Sequence, residues 1–305
     1  MRRRVVSGYR AGPLVGYELP AGTEPVATAR AAEAAGVDFL VLPDRPAAPD
    51  DRPGPPAALI TASWLATRTE RIGLVIEMPP AYTEPYNLAR MLASLDHVSG
   101  GRSGWLASSA PDPAADANHR RAGVDPAVNR AARTAEYLPL LRDLWDTWED
   151  GAFTHDKATM QFVDGDRVHT LNHEGPLLRV AGPLNVIRPP QGHPLVLADA
   201  GDRGAAADAD VLIGRSPGDD DRPWLWAARP DDVRRSGPDD ADGAIGWLVR
   251  FDSAEECVAF TEAGLPTWTA DWPAEQPFLL RERFGLSRPA NRLAHCVGAR
   301  TGRTR

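Results

Sequence analysis

Eight short apolar runs constrain this chain more than any other feature. They are PLVGYEL (13–19), DFLVLPD (38–44), RIGLVIEM (71–78), GWLASS (104–109), HPLVLADAG (193–201), ADVLIG (209–214), PWLWAAR (223–229) and AIGWLVRF (244–251). They are too short for buried helices, and most are rich in Val, Leu and Ile. They read as strands covered on both faces. Helical segments lie between the early ones. Residues 23–35 open with Thr23 as N-cap and run Ala-rich to Gly36, a C-terminal stop signal. A second helical stretch ends near Arg68, after a loop at 45–56 holding five prolines, and a third covers 84–98. Alternating strands and helices imply parallel pairing, and eight such units close into an α/β structure of the (β/α)8 TIM-barrel type.

The rhythm breaks twice. Over 126–149, Leu138, Leu141, Leu144, Trp145 and Trp148 recur at helical spacing, with Pro139 predicted to kink that helix or restart it. Residues 150–192 are polar and rich in His and Asp, which predicts an insertion of short hairpins after the fourth β/α unit. The later helices are short or missing. Residues 215–242, rich in Asp, Arg, Pro and Gly, read as a variable, disordered loop. The chain is expected to form one domain, residues 1–305.

Composition excludes several roles. A chain of 305 residues with 43% hydrophobic side chains can bury a large core. A net charge of −8 argues against a phosphate-backbone partner, so no nucleic acid is expected. No apolar run reaches the length of a membrane span, and the opening Met-Arg-Arg-Arg is not followed by a signal-peptide core. Cys257 and Cys296 give neither a disulfide framework nor a zinc spacing. A soluble cytoplasmic protein is expected.

In a barrel of this type, chemistry sits at the carboxyl ends of the strands. Those ends are Asp44, Glu77 with Met78, Ser108 with Ser109, Asp199 to Gly201, and the region of Gly214. The turn Asp199-Ala200-Gly201-Asp202-Arg203-Gly204 offers backbone amides to a phosphate, or is a plain βα turn. His169 and His173 lie four apart, but no further ligands stand in metal-binding register, so no metal is expected. His97 reads as a helix-end anchor, His155 as a surface residue and Asp219–Asp221 as a solvated loop. Trp145 and Trp148 read as core, and Trp224, Trp226 and Trp247 as core or an aromatic wall. Cys257, after Ser253 as N-cap, reads as buried and inert.

Four stretches carry a family resemblance: YTEPYNLARMLASLDHVSGGRSGW (82–105), LWDTWEDGA (144–152), GPLNVIRPPQGHPLVLADAG (182–201) and LLRERFGLSRPANR (279–292). They resemble the bacterial-luciferase-like flavin monooxygenases, most of all the nitrilotriacetate and dibenzothiophene-sulfone monooxygenase branch. The resemblance implies a commonly dimeric barrel that uses reduced FMN, supplied by a separate reductase, to oxidise a small organic substrate. The cofactor carries the chemistry there, and the protein binds, orients and excludes water.

Carried over residue by residue, the resemblance implies cofactor-binding roles for Asp44, Ser109, Ala200, Gly201 and Arg203, and leaves Glu77 as the catalytic candidate, a carboxylate where relatives carry small hydroxyls. The chain also departs from the pattern. Leu106 replaces an amide, and Ala131 replaces a phosphate-contacting tyrosine after Arg130. Asp199 and Asp202 stand in the turn where relatives have uncharged residues; both would repel a phosphate dianion, with Arg203 as the compensating cation. Two readings follow. One is a monooxygenase with a remodelled pocket. The other is a paralogue that has lost flavin and serves as a partner subunit or ligand binder, in a homodimer or a heterodimer.

Overall fold

The structure is a computed structural model that describes residues 12–44, 47, 56–120, 125–216, 221–236, 243–265 and 279–294. The first half alternates strand and helix: β1 (Leu14–Glu18), α1 (Pro25–Ala34), β2 (Phe39–Pro43), α2 (Ala58–Ala66), β3 (Gly73–Glu77), α3 (Pro85–Ser99) and β4 (Ser103–Ala107). Then come α4 (Pro113–His119) and α5 (Arg130–Trp145). The insertion follows as two antiparallel hairpins. One joins β5 (Phe153–Asp156) to β6 (Gln161–Val163), the other β7 (His173–Glu174) to β8 (Arg179–Val180). The barrel resumes with β9 (Leu195–Asp199), β10 (Val211–Gly214), β11 (Trp224–Ala228), α6 (Pro230–Arg235), β12 (Gly246–Arg250) and α7 (Ala254–Glu262), and α8 (Leu280–Arg283) ends the described elements.

β1 to β4 and β9 to β12 close into one parallel barrel, with β1 pairing both β2 and β12. This is the expected fold, with the expected shortening. A single 3₁₀ turn (Ala206–Asp208) stands between β9 and β10, and no helix lies between β10 and β11 among the described residues.

Alternation divides each strand between two cores. Leu14, Phe39, Val41, Val75, Leu106, Leu195, Leu197, Val211, Ile213, Leu225 and Leu248 fill the interior. Their neighbours in sequence, such as Val15, Leu40, Leu74, Trp105, Val196 and Trp247, pack under the helices. Glycine makes the interior packing possible. A Cβ at Gly16 would lie 2.1 Å from Cζ of Phe39, and one at Gly73 would lie 2.6 Å from a Leu280 methyl. Leu280 and Phe284 belong to the C-terminal segment and join the interior cluster from the amino end of the strands. Leu280 N–H donates to Gly101 C=O at 2.8 Å, and Arg283 donates to Asp38 C=O at 3.2 Å. The LLRERFGLSRPANR stretch is therefore the plug of the barrel floor.

Two buried polar centres tie this floor to the helices. Arg102 donates to the carbonyls of Ala66, Thr69, Ile72 and Ser99 and to the Thr69 hydroxyl, all between 2.8 and 3.2 Å. Burial lowers its pKa to about 10, so it stays a cation at neutral pH. Asp96, wholly buried, accepts from Ser103 Oγ at 2.8 Å and from Gln191 Nε2 at 2.6 Å, and Gln191 Oε1 accepts from Arg281 N–H.

Several local expectations change. The first helix is capped by Glu24, whose carboxylate accepts from Val26 and Ala27 N–H, while Thr23 turns back to Pro20 C=O. α5 runs through Pro139 as one element. Its buried leucines and Trp145, whose Nε1 donates to Ala89 C=O at 3.0 Å, hold it there despite the lost backbone bond. Trp148 lies beyond the helix end, half-buried, donating to Leu184 C=O and stacked on Phe153. Within 215–242, β11 forms in the run expected as a strand, while α6 replaces part of the expected loop, because Pro230 and Val233 are buried in the helical layer. Ser253 caps α7 as expected, and burial pushes the Cys257 thiol up to about 11. Cys296, Asp219, Asp220 and most of the 45–56 loop lie outside the described residues.

Arg102→Met should lower unfolding stability by about 3 kcal/mol or more, because it strands several buried carbonyls. Urea denaturation monitored by tryptophan fluorescence measures this; an unchanged midpoint would show that those carbonyls find other donors.

Candidate functional site

The strand register sets every sequence-predicted site residue at one end of the barrel. Pro43 pairs with Glu77, Glu77 with Leu106, and Asp199 with Ile213. Continuing the inward set past the apolar layers gives Glu18, Glu77, Asp199 and Arg250 at the mouth. Arg250 Nε and Glu18 Oε2 form an ion pair at 2.8 Å, in keeping with that alternation. Among the described residues, the inward positions at the mouth are thus three carboxylates and one guanidinium.

Asp44 is engaged structurally. Its N–H donates to Glu77 C=O at 2.9 Å, and its Oδ1 accepts from Ala58 N–H, the first residue of α2, at 3.1 Å. The carboxylate thus caps α2 from the end of β2. Trp105 Nε1 donates to Met78 C=O at 2.9 Å and fixes the backbone just past Glu77.

The turn after β9 is the most informative part of the rim. Ala200 N–H extends the ladder to Ile213 C=O, and Gly201 N–H donates to Asp199 Oδ1, both at 2.8 Å. Gly204 and Ala205 N–H donate to Asp202 Oδ1 at 3.0 and 3.1 Å. From the end of the neighbouring strand β4, Ser109 adds its own N–H and its hydroxyl, one to each oxygen of the same carboxylate. Four donors converge on Asp202. Arg203 is exposed and makes no side-chain bond among the described residues.

The start of α5 closes the other side. A Cβ on Gly204 would lie 2.8 Å from both Cα and O of Ala131 and 3.1 Å from Ser109 Oγ. Ala131 is held there through its neighbour Arg130, which donates to Asp116 Oδ1 and to Tyr82 Oη, while Tyr82 also donates to Asp116 at 2.9 Å. Burial raises the Asp116 carboxyl, but the hydrogen bonds from Arg130 and Tyr82 outweigh it and hold its pKa below the usual carboxylate value. The sequence reading did not find this triad; its members come from three separate loops and helices.

A cavity of about 920 Å³ opens beside the triad, between the start of α3, the turn before α5 and the β7–β8 hairpin. Tyr82, Tyr86, His119, Asn129, Arg133 and Leu178 are among its walls. The histidines of the insertion bond separately: His169 with Glu149 at 2.7 Å and His173 with Glu136 at 3.1 Å. Among the described residues no three potential ligands cluster as a metal would require. His97 contacts Ile187 C=O at 3.2 Å at the end of α3.

These contacts test the fit of an FMN phosphate. The donor set suits an oxyanion, since backbone amides and a serine converge on one point. That point already holds the Asp202 carboxylate, and Gly204 lies against Ala131 with no space between. The residues present do not fit a phosphate at this turn. Asp44→Ala should cost about 1 kcal/mol of stability through the lost cap on α2. Differential scanning calorimetry measures it, and an unaltered transition would show that the carboxylate does not hold that helix.

A family profile described as luciferase-like monooxygenase matches residues 1–264. One of the pristinamycin IIA synthase subunits of Streptomyces pristinaespiralis is 37% identical over 273 residues, 87% of this chain and 89% of that one. Another chain of the same synthase is 31% identical over 169 residues, 52% of this chain and 34% of the relative. Nitrilotriacetate monooxygenase component A from Aminobacter aminovorans is 40% identical over 162 residues, 52% of this chain and 35% of the relative. Against these last two the chain thus matches only about a third of the relative's length. In structure, EDTA monooxygenase from Chelativorans sp. BNC1 superposes with a TM-score of 0.69 at 20% identity, covering 91% of this chain and 99% of that one. The likeness extends the shared barrel over nearly the whole chain. The chain belongs to the luciferase-like monooxygenase family, the barrel-fold, flavin-dependent oxidoreductases that use reduced FMN on small organic substrates.

Proposed function

We propose that this chain is one of two luciferase-like chains forming the oxygenase of a two-component monooxygenase, which oxidises a small organic substrate with reduced FMN and oxygen. A separate reductase supplies the reduced FMN, and a second luciferase-like chain completes the assembly in the cytoplasm. The observation that carries the reading is similarity over 87% of the chain to one subunit of a synthase of which a second subunit matches this chain too.

The surface supports pairing. Ile60 and Trp64 lie one turn apart on α2 and are 63% and 48% exposed. Two adjacent apolar side chains open to solvent on one helix face suit packing against a partner's helices. No helix among the described residues is long and apolar enough to cross a membrane.

Within this reading the chain's own residues have defined tasks. Glu77, at the mouth, takes the role of a base or anchor toward substrate. The Tyr82–Asp116–Arg130 triad keeps the start of α5 and the cavity wall in place. The β7–β8 hairpin forms one wall of the cavity.

The test is co-expression with the luciferase-like paralogue of the same genome, then incubation with an FMN reductase, a nicotinamide donor and a panel of chelators, sulfones and thioethers. An oxygenated product, read by mass spectrometry, is expected only with both chains. Equal turnover by the paralogue alone would end the reading. With both chains present, Glu77→Gln should lower turnover by at least about tenfold, the smaller end of acid–base effects. Unchanged turnover would remove Glu77 from the reaction.

A further inference from the structure

We infer that Asp202 is a built-in anion that occupies the cradle in which this fold would take an FMN phosphate, so this chain does not hold FMN there. The identity of the displaced anion rests on the proposed function; the filled cradle rests on geometry alone.

An aspartate capping its own turn is common, and the bonds from Gly204 and Ala205 fit that description. The bonds from Ser109 do not. They come from a residue 93 positions away, at the end of β4, and use both its backbone N–H and its hydroxyl. The carboxylate thus staples two rim loops that share no local sequence.

Ala131 provides the second observation. With no ring at this position, the Gly204 backbone closes onto α5, and a Cβ on Gly204 would already collide with Ala131. A phosphate, with four oxygens and a heavier centre, is larger than the carboxylate it would displace. It would also meet the Asp199 carboxylate at the start of the turn. Arg203, the expected compensating cation, does not join the cluster: it is exposed and unbonded among the described residues.

One physical consequence follows. The chain keeps its rim ordered without a cofactor, because its own side chain supplies the negative charge that the amides require.

The experiment uses the purified full chain, Asp202→Ser and the near-isosteric Asp202→Asn. Inorganic phosphate and FMN are the probes, and melting temperature and flavin fluorescence are the readouts. The wild-type chain should show no phosphate-dependent rise in melting temperature at tens of millimolar and no saturable FMN binding below about millimolar. Both variants should melt lower in phosphate-free buffer. Phosphate should restore Asp202→Ser, which opens the cradle, and FMN should bind it at least about tenfold more tightly than the wild type.

Micromolar FMN binding by the wild type that inorganic phosphate competes away would overturn the inference. So would an Asp202→Ser variant that folds but gains nothing from phosphate. If neither variant folds, the wild-type titration decides alone. Turnover by the two-chain system together with FMN binding by this chain would defeat this inference and leave the proposed function standing. A closed cradle without any turnover would do the reverse.

Discussion

An eight-stranded parallel barrel has no edge to protect, but its interior has to be filled with side chains. Here that constraint is met by pairing small with large. Gly16 yields its place to the Phe39 ring, Gly73 to Leu280, and Gly104 to Val75. The plug comes from the far end of the sequence, so the last described helix completes a core that the first strand begins. Arg102 and Asp96 then fasten this floor, the first donating to buried carbonyls and the second accepting from Ser103 and Gln191. A rigid floor leaves the opposite rim free to vary.

The rim shows how far such variation has gone. In α/β barrels the loops after the strands carry the function, while the strands hold them in place. Three of these loops meet here at a single carboxylate. Ser109 reaches it from β4, Gly204 from β9, and Ala131 from α5 packs behind it. The same convergence of donors that suits a bound anion is satisfied internally. One aspartate therefore changes the electrostatic character of the mouth, which already holds Glu18, Glu77 and Asp199 against Arg250. The cavity between α3, α5 and the insertion is a separate space, and nothing about the filled turn obstructs it.

Much of this was legible in the sequence, for a physical reason. Strands buried on both faces need continuous apolar runs, so all eight announced themselves, and their ends located the rim. Short late helices showed as missing amphipathic segments. What the sequence hid were choices between near-equivalent neighbours and contacts between distant ones. Glu24 rather than Thr23 caps α1, because the carboxylate reaches two amides while the threonine turns to Pro20. Pro139 sits inside α5 because tertiary packing outweighs propensity. Asp44 is expected at the rim from its position at the end of β2; its bond to Ala58 at the start of α2 is a contact that only the fold reveals. At 202 the sequence shows a charge in an unexpected place; only the fold shows Ser109 positioned to receive it.

The central claim is that a side chain stands where a cofactor's phosphate would. A crystal structure of the full chain grown with FMN and phosphate tests it most directly. The account predicts the Asp202 carboxylate seated on Ser109, Gly204 and Ala205, with no phosphorus atom within bonding reach of those donors. Density for a phosphate on the same four donors, with Asp202 swung outward, would contradict it.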